Sequence, residues 1–181
     1  MKSILISIKQ EWVAKILNGE KTIEIRKTMP KCDLPIDVYI YCTKDDKNDC
    51  FINISFNYHR CNVRPKPTNK KWFEKLKHIQ ILNGKVVAKF TLNKVEEITV
   101  KKWNIYVENN LLKESCLHES ELFHYIGDFR KEPFYAWHID NLEIFDKPKE
   151  LCEFIQSKRK NYDEPQVQKA PQSWCYVEAL K

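Results

Sequence analysis

The period of hydrophobicity changes across a single glycine near the start of the chain, and this change restricts the fold more than any other feature. From Ser3 to Lys9 apolar residues alternate, with Ile4, Ile6 and Ile8 on one face, as a half-buried strand requires. Gln10 to Asn18 then sets Trp12, Val13, Ile16 and Leu17 on one helical stripe, and Gly19 follows where a left-handed cap is wanted. Beyond it alternation returns: Lys21, Ile23, Ile25 and Lys27 fall on one face, and Thr22, Glu24 and Arg26 on the other. Asp37 to Thr43 reads as the next strand. A strand, a short helix and two further strands within so few residues predict a compact unit dominated by β-structure.

Later segments extend that pattern less regularly. Between Lys44 and Asn69 it dissolves into charges and asparagines, interrupted only by Phe51, Ile52, Ile54 and Phe56, and reads as an inserted excursion running to about Lys77. Thr68 can cap a helix that carries Trp72, Leu76 and Ile79 at helical spacing. Asn83-Gly84 predicts a turn, Lys85 to Ile98 a β-rich run, and Ser115 to Tyr125 a helix capped by Ser115 or Ser120 and ended by Gly127. Phe134 to Phe145 reads as a strand in two parts with a bulge at Asp140-Asn141. Pro148 is placed to open a helix through Leu151, Phe154 and Ile155, the segment from Ser157 to Pro171 reads as a charged loop, and Ser173 to Glu178 as a last strand. Short strands with a few helices, lacking regular βαβ alternation, predict an α+β class rather than a doubly wound sheet. With 181 residues, 43% of them hydrophobic, the chain suits one domain, 1–181, with an insertion at 44–77 and a C-terminal extension at 146–181.

The run Ile16-Leu17-Asn18-Gly19-Glu20-Lys21-Thr22-Ile23-Glu24-Ile25-Arg26 resembles the opening signature of the ASCH family within the PUA-like superfamily, roughly I-L-x-G-x-K-T-x-E-x-R. The order of strand, helix, this strand and then Val38-Tyr39-Ile40-Tyr41 agrees with it. The resemblance implies a PUA-like small β-barrel of five or six strands flanked by helices, a cleft beside the first helix, and binding of RNA or a nucleotide. It also implies an alternative, since some relatives resemble amidohydrolases acting on acylated cytidine and others ribonucleases. In the amidohydrolases the signature lysine, matched by Lys21, acts with a threonine later in the strand, and here that position carries Glu24. The catalytic candidates, if the chain is an enzyme, are therefore Lys21 and Glu24.

The residues themselves support a site at the same place. A lysine opening an apolar strand can bury its stem and present its amine at the strand's mouth, where it meets phosphate or acts as a base. Glu24 and Arg26, two apart on one strand face and within about 7 Å of each other, can orient a guanidinium for a phosphate or base edge, or form an exterior ion pair. Trp137 and His138 are further candidates for nucleic acid, since adjacent strand residues face opposite ways and one of the two should line a cleft, whereas Trp12 and Trp174 read as core. Arg60, Arg64, Lys66, Lys70, Lys71, Lys75 and Lys77, opposed by Glu74 alone, form the strongest polyanion footprint in a chain of net charge +6. A protein-interaction module built on that insertion is a third reading.

Seven cysteines with irregular spacing and no C-x-x-C pair predict reduced thiols and a cytoplasmic location. Cys50, His59 and Cys61, with Cys42 or Cys32, match no standard zinc spacing, so buried thiols are expected and no metal or cofactor is assigned. No phosphate-cradling glycine loop and no G-x-S-x-G motif occur, which disfavours those hydrolase classes. No run of about 18 apolar residues is present to cross a membrane.

Overall fold

The computed structural model describes residues 2–53, 60–66, 78–99, 105–127, 133–157 and 166–180. The first strand, β1 (Lys2–Ile8), enters helix α1 (Gln10–Leu17), and β2 (Ile23–Arg26) and β3 (Ile36–Cys42) follow. Next come β4 (Asn48–Asn53), β5 (Cys61–Pro65), β6 (Ile79–Ile81), β7 (Val86–Leu92) and β8 (Val95–Ile98). Two helices, α2 (Ile105–Ser115) and α3 (Glu119–Ile126), precede β9 (Phe134–His138), β10 (Asp140–Lys149), a short 3-10 turn at Leu151–Glu153, and β11 (Trp174–Glu178).

Among the described residues the strands form three sheets, ordered β10-β7-β3-β1-β11, β2-β9-β8 and β5-β4-β6. The architecture is mixed α+β, as expected. Among the described residues no ladder joins one of these sheets to another, so no closed barrel is drawn by the strand pairing. Strand β1 runs parallel to β3, with Ile4 opposite Val38 and Ile6 opposite Ile40, because α1 and β2 intervene and return the chain to the same end.

Alternation along β1 explains the core. Ile4, Ile6 and Ile8 pack with Val13, Ile16, Val38, Ile40 and Phe90 on one face of the large sheet. The other face is covered too: Leu5, Tyr39 and Tyr41 meet Phe154, Val167 and Val177, so the C-terminal extension closes a second core. Each fully buried aliphatic side chain of this kind stabilises the fold by about 1.5–3 kcal/mol relative to exposure. A third cluster joins Ile23, Ile25 and Phe134 of the small sheet to Leu111 of α2 and Leu122 of α3.

Several local expectations hold. Gly19 ends α1 at φ +73°, Gly127 ends α3 at φ +74°, and Asn141, at φ +48°, breaks the pairing between β10 and β7 where the bulge was expected. Others need correction. Within the supposed irregular excursion, β4 pairs with both β5 and β6, and Cys50, Phe51 and Ile52 at its centre are all buried. Pro148 opens no helix: β10 continues to Lys149, which pairs with Val86, and tertiary pairing overrides the local proline signal. Ser115 caps nothing at the start of α3, since it closes α2, and His118 with Glu121 forms the capping box. The helix expected after Thr68 lies outside the described residues.

Gly84 occupies the turn before β7 at φ +76°, and a Cβ there would meet Lys44 Cε at 2.9 Å. Gly84→Ala is therefore expected to destabilise the fold by about 1–2 kcal/mol. Urea unfolding measures this directly, and an unchanged midpoint would contradict the left-handed turn. No described helix is long and apolar enough to cross a membrane.

Candidate functional site

The chain between α1 and β2 decides where the signature side chains go. Gly19 N–H donates to Ile16 O at 2.9 Å, and the amides of Glu20 and Lys21 both turn back to Lys15 O, at 2.8 and 3.1 Å. Lys21 thus belongs to the wrap at the helix end and not to the strand that begins at Ile23. Its side chain does not follow Ile23 and Ile25, as strand alternation predicted, but reaches the side of Glu24.

There it completes a buried cluster. Lys21 Nζ lies 3.3 Å from Glu24 Oε2, and Arg26 Nη2 lies 3.0 Å from Glu24 Oε1. Lys21 is 2% exposed and Glu24 and Arg26 are each 7% exposed, so the exterior ion pair weighed from sequence is excluded. Secondary partners fix the geometry. Lys21 Nζ donates to Ser115 O at 2.7 Å and Lys15 Nζ to Cys116 O at 3.3 Å, which places two ammonium groups at the negative C-terminal end of α2. Arg26 Nη2 donates to Ser7 O at 2.8 Å, and Ser7 is itself held by its hydroxyl donating to Pro171 O at 2.7 Å.

Two cations share one carboxylate, so the cluster holds a surplus positive charge in a poorly solvated place. Burying charge is costly unless it is paired and hydrogen-bonded. Arg26 Nε is buried and, among the described residues, has no hydrogen-bond partner. A donor left open in this way, beside a surplus cation, suits an incoming acceptor that carries negative charge.

That acceptor has a place to sit. A cleft of about 800 Å³ opens over the cluster, walled by Ser7, Ile8 and Lys9 at the end of β1, Glu11 and Trp12 of α1, Lys21 ahead of β2, and Glu24 to Thr28 along and just past that strand. Glu121, His124 and Tyr125 of α3 form the opposite side, with Gln172 and Ser173 ahead of β11. Trp12 was read as core, yet it is only half-buried, lines the cleft, and has Lys15 Nζ at 4.6 Å and Lys21 Nζ at 5.4 Å from its ring centre. Sequence reasoning also missed the α3 residues. Their spacing of three and four places puts them on one helix face, a signal visible in Glu121, His124 and Tyr125 but silent about what that face meets.

Other sequence candidates lie elsewhere. Trp137 stands opposite Glu24 in the β2–β9 ladder and is fully buried, with Trp174 5.7 Å away between ring centres. His138 faces out of the small sheet, its Nε2 3.5 Å from Glu96 Oε2. Neither lines the cleft, because the core claims Trp137 and the opposite strand face directs His138 toward β8. The Glu96 carboxyl is held below the usual range by its bond to Lys94 first and by His138 to a lesser degree.

Arg60 is exposed, and Arg64 lies over Phe51 at 4.5 Å from its ring centre. Arg60 just precedes β5 and Arg64 lies within it, and both are outside the cleft wall. Lys70, Lys71 and Lys75 lie outside the described residues, as does His59.

The inserted sheet also gathers thiols. Cys50 and Cys61 Sγ are 3.4 Å apart and buried, and Cys42 is buried too. Contact with Cys42 raises the Cys50 thiol above its ordinary value, and contact with Cys50 followed by burial raises that of Cys61. Among the described residues no group of three His, Cys, Asp or Glu is arranged to hold a metal ion.

The fold and cleft together define a mixed α+β domain whose opening strand, helix and strand present a buried Lys-Glu-Arg cluster to a concave surface. Solved structures place that architecture: the chain has an ASCH-type fold. It is similar to the crystal structure of the ASCH protein of Zymomonas mobilis, with a TM-score of 0.57 and 18% identity over 97% of this chain and 87% of that one. A tyrosine-to-phenylalanine mutant of that protein matches with a TM-score of 0.57 and 17% identity over 98% and 91% of the two chains. A serine-to-alanine mutant gives the same score and identity over 97% and 88%. No family profile matches the sequence, and no curated protein sequence matches it.

Proposed function

We propose that the chain binds RNA, or a nucleotide derived from it, in the cleft beside α1. The observation that carries this reading is Arg26 Nε, a buried donor without a partner among the described residues, next to a cluster with one more cation than carboxylate. A phosphate or a base carbonyl supplies the acceptor, and the negative charge of phosphate balances the surplus. Trp12 offers an aromatic face on which a base can stack, an interaction worth about 1–3 kcal/mol per base. Glu11, also in the wall, can accept from an exocyclic amine or a 2′-hydroxyl. Lys9 and Lys27 at the rim add long-range attraction for a polyanion.

The hydrolase reading uses the same residues with less support. Glu24 is already engaged by both cations, and Lys21 by Glu24 and the Ser115 carbonyl, so a general acid or base role would first require these contacts to break.

Filter binding of single-stranded and hairpin RNA across a salt series tests the proposal. The expected result is saturable binding at low salt that weakens as salt rises, with a log-log slope of about 0.7 per phosphate neutralised on a single strand. Absence of binding to either RNA at low salt would remove it.

A further inference from the structure

The cleft does not end at α1. Lys9, Glu11 and Thr43, which form part of its wall, also form part of a second hollow of about 490 Å³ that continues over Lys44, Asp45, Asn48 and Val63. Asn48 opens β4 and Val63 lies in β5, so this second hollow is built where the inserted sheet meets the ends of β1 and β3.

Its polar groups are not equivalent. The Asp45 carboxylate is occupied locally, accepting from Lys47 N–H at 2.7 Å, Asn48 N–H at 3.2 Å and Asn48 Nδ2 at 3.0 Å. Among the described residues no ion pair engages the ammonium of Lys9 or Lys44, and both side chains are exposed. The Lys44 stem runs beside Gly84, its Cε and Cγ 2.9 and 3.1 Å from where a Cβ on that glycine would stand. Val63, 36% exposed, gives the groove an apolar wall for a sugar or base.

We propose that the two hollows form one trough for a short single-stranded oligoribonucleotide, with one nucleotide at Arg26 and Trp12 and the adjoining phosphates on Lys9 and Lys44. This rests on the RNA or nucleotide reading of the cleft and narrows it: the ligand is a strand, and the insertion supplies its second subsite. A free mononucleotide fills only the cleft and makes no use of Lys44. A strand carries a charge per residue and gains from each additional ammonium it meets. Glu11 lines both hollows, and its carboxylate can accept from a base amine or a 2′-hydroxyl.

Calorimetric titration of the full chain with a ribonucleoside monophosphate and with a hexaribonucleotide, at low and moderate salt, decides the matter. The hexamer is expected to bind roughly tenfold or more tightly than the monophosphate, with a salt slope larger by about 1.4 for two further phosphates. Lys44→Glu should bring the hexamer's affinity down toward that of the monophosphate. Val63→Glu, a substitution at an exposed strand position that the fold accommodates, should do the same from the opposite wall. A monophosphate that binds as tightly as the hexamer overturns the trough, as does a hexamer indifferent to both variants; the cleft reading survives either result. If neither ligand binds, both fall together.

Discussion

Glu24→Ala is expected to lower the unfolding free energy by about 3–5 kcal/mol, the range for removing one partner of a buried charge pair. Among the described residues the lost carboxylate is the only side-chain counter-charge of Lys21 and Arg26, whose side chains are 2% and 8% exposed. Its removal leaves two cations facing one another in a place where water can screen them little. The Ser115 and Ser7 carbonyls remain as acceptors, but a neutral dipole compensates a cation only in part. Replacing the whole cluster is expected to cost less than removing its centre: Lys21→Met, Glu24→Leu and Arg26→Met combined remove every charge at once, and such replacements are often neutral or stabilising. Urea unfolding of the two proteins measures the difference. A loss below about 1 kcal/mol for Glu24→Ala would mean that the cluster is screened like a surface pair.

The second large effect concerns binding. Arg26→Met keeps the aliphatic stem and leaves Lys21 and Glu24 as a charge-balanced pair, so the fold should persist while the open donor disappears. A hydrogen bond to a charged group contributes about 1.5–3 kcal/mol, which corresponds to a loss of roughly 10- to 100-fold in affinity for RNA. Arg26→Lys retains the charge without Nε and the planar fork, and should recover only part of that loss. Affinity unchanged in Arg26→Met would separate the ligand from the cluster.

How much of this was legible in the sequence follows from which forces were local. The first three elements were readable because their periods are regular and Gly19, at φ +73°, sits where a side chain would strain the backbone. The turn at Gly84 and the bulge at Asn141 were readable for similar reasons of local conformation. What failed depended on distant partners. β4 and β5 are short and studded with polar residues, and they are strands because they pair with each other and with β6, which no window of sequence contains. Pro148 failed as a helix signal because β7 offered a partner strand.

The site divides the same way. That Glu24 and Arg26 share a face was legible from spacing, whereas Lys21 was grouped with them through the resemblance, since alternation set it on the opposite face. Their burial was not legible, because it depends on α2 delivering the Ser115 carbonyl from 94 positions away. Trp12 was assigned to the core by its apolar stripe, yet it sits at the stripe's edge, where the ring packs on one side and opens to the cleft on the other. Trp137 and His138 show the converse. Their alternation was read correctly, but the small sheet buries one and directs the other to Glu96, so neither reaches the hollow.

The resonance of the Arg26 Nε–H group, followed by nitrogen-resolved NMR during titration with a short ribonucleotide, tests the central claim most directly. A buried side-chain N–H without a partner should shift saturably as it acquires an acceptor, in step with binding measured on the whole protein. Saturable binding that leaves this resonance in place would put the ligand elsewhere and contradict the account.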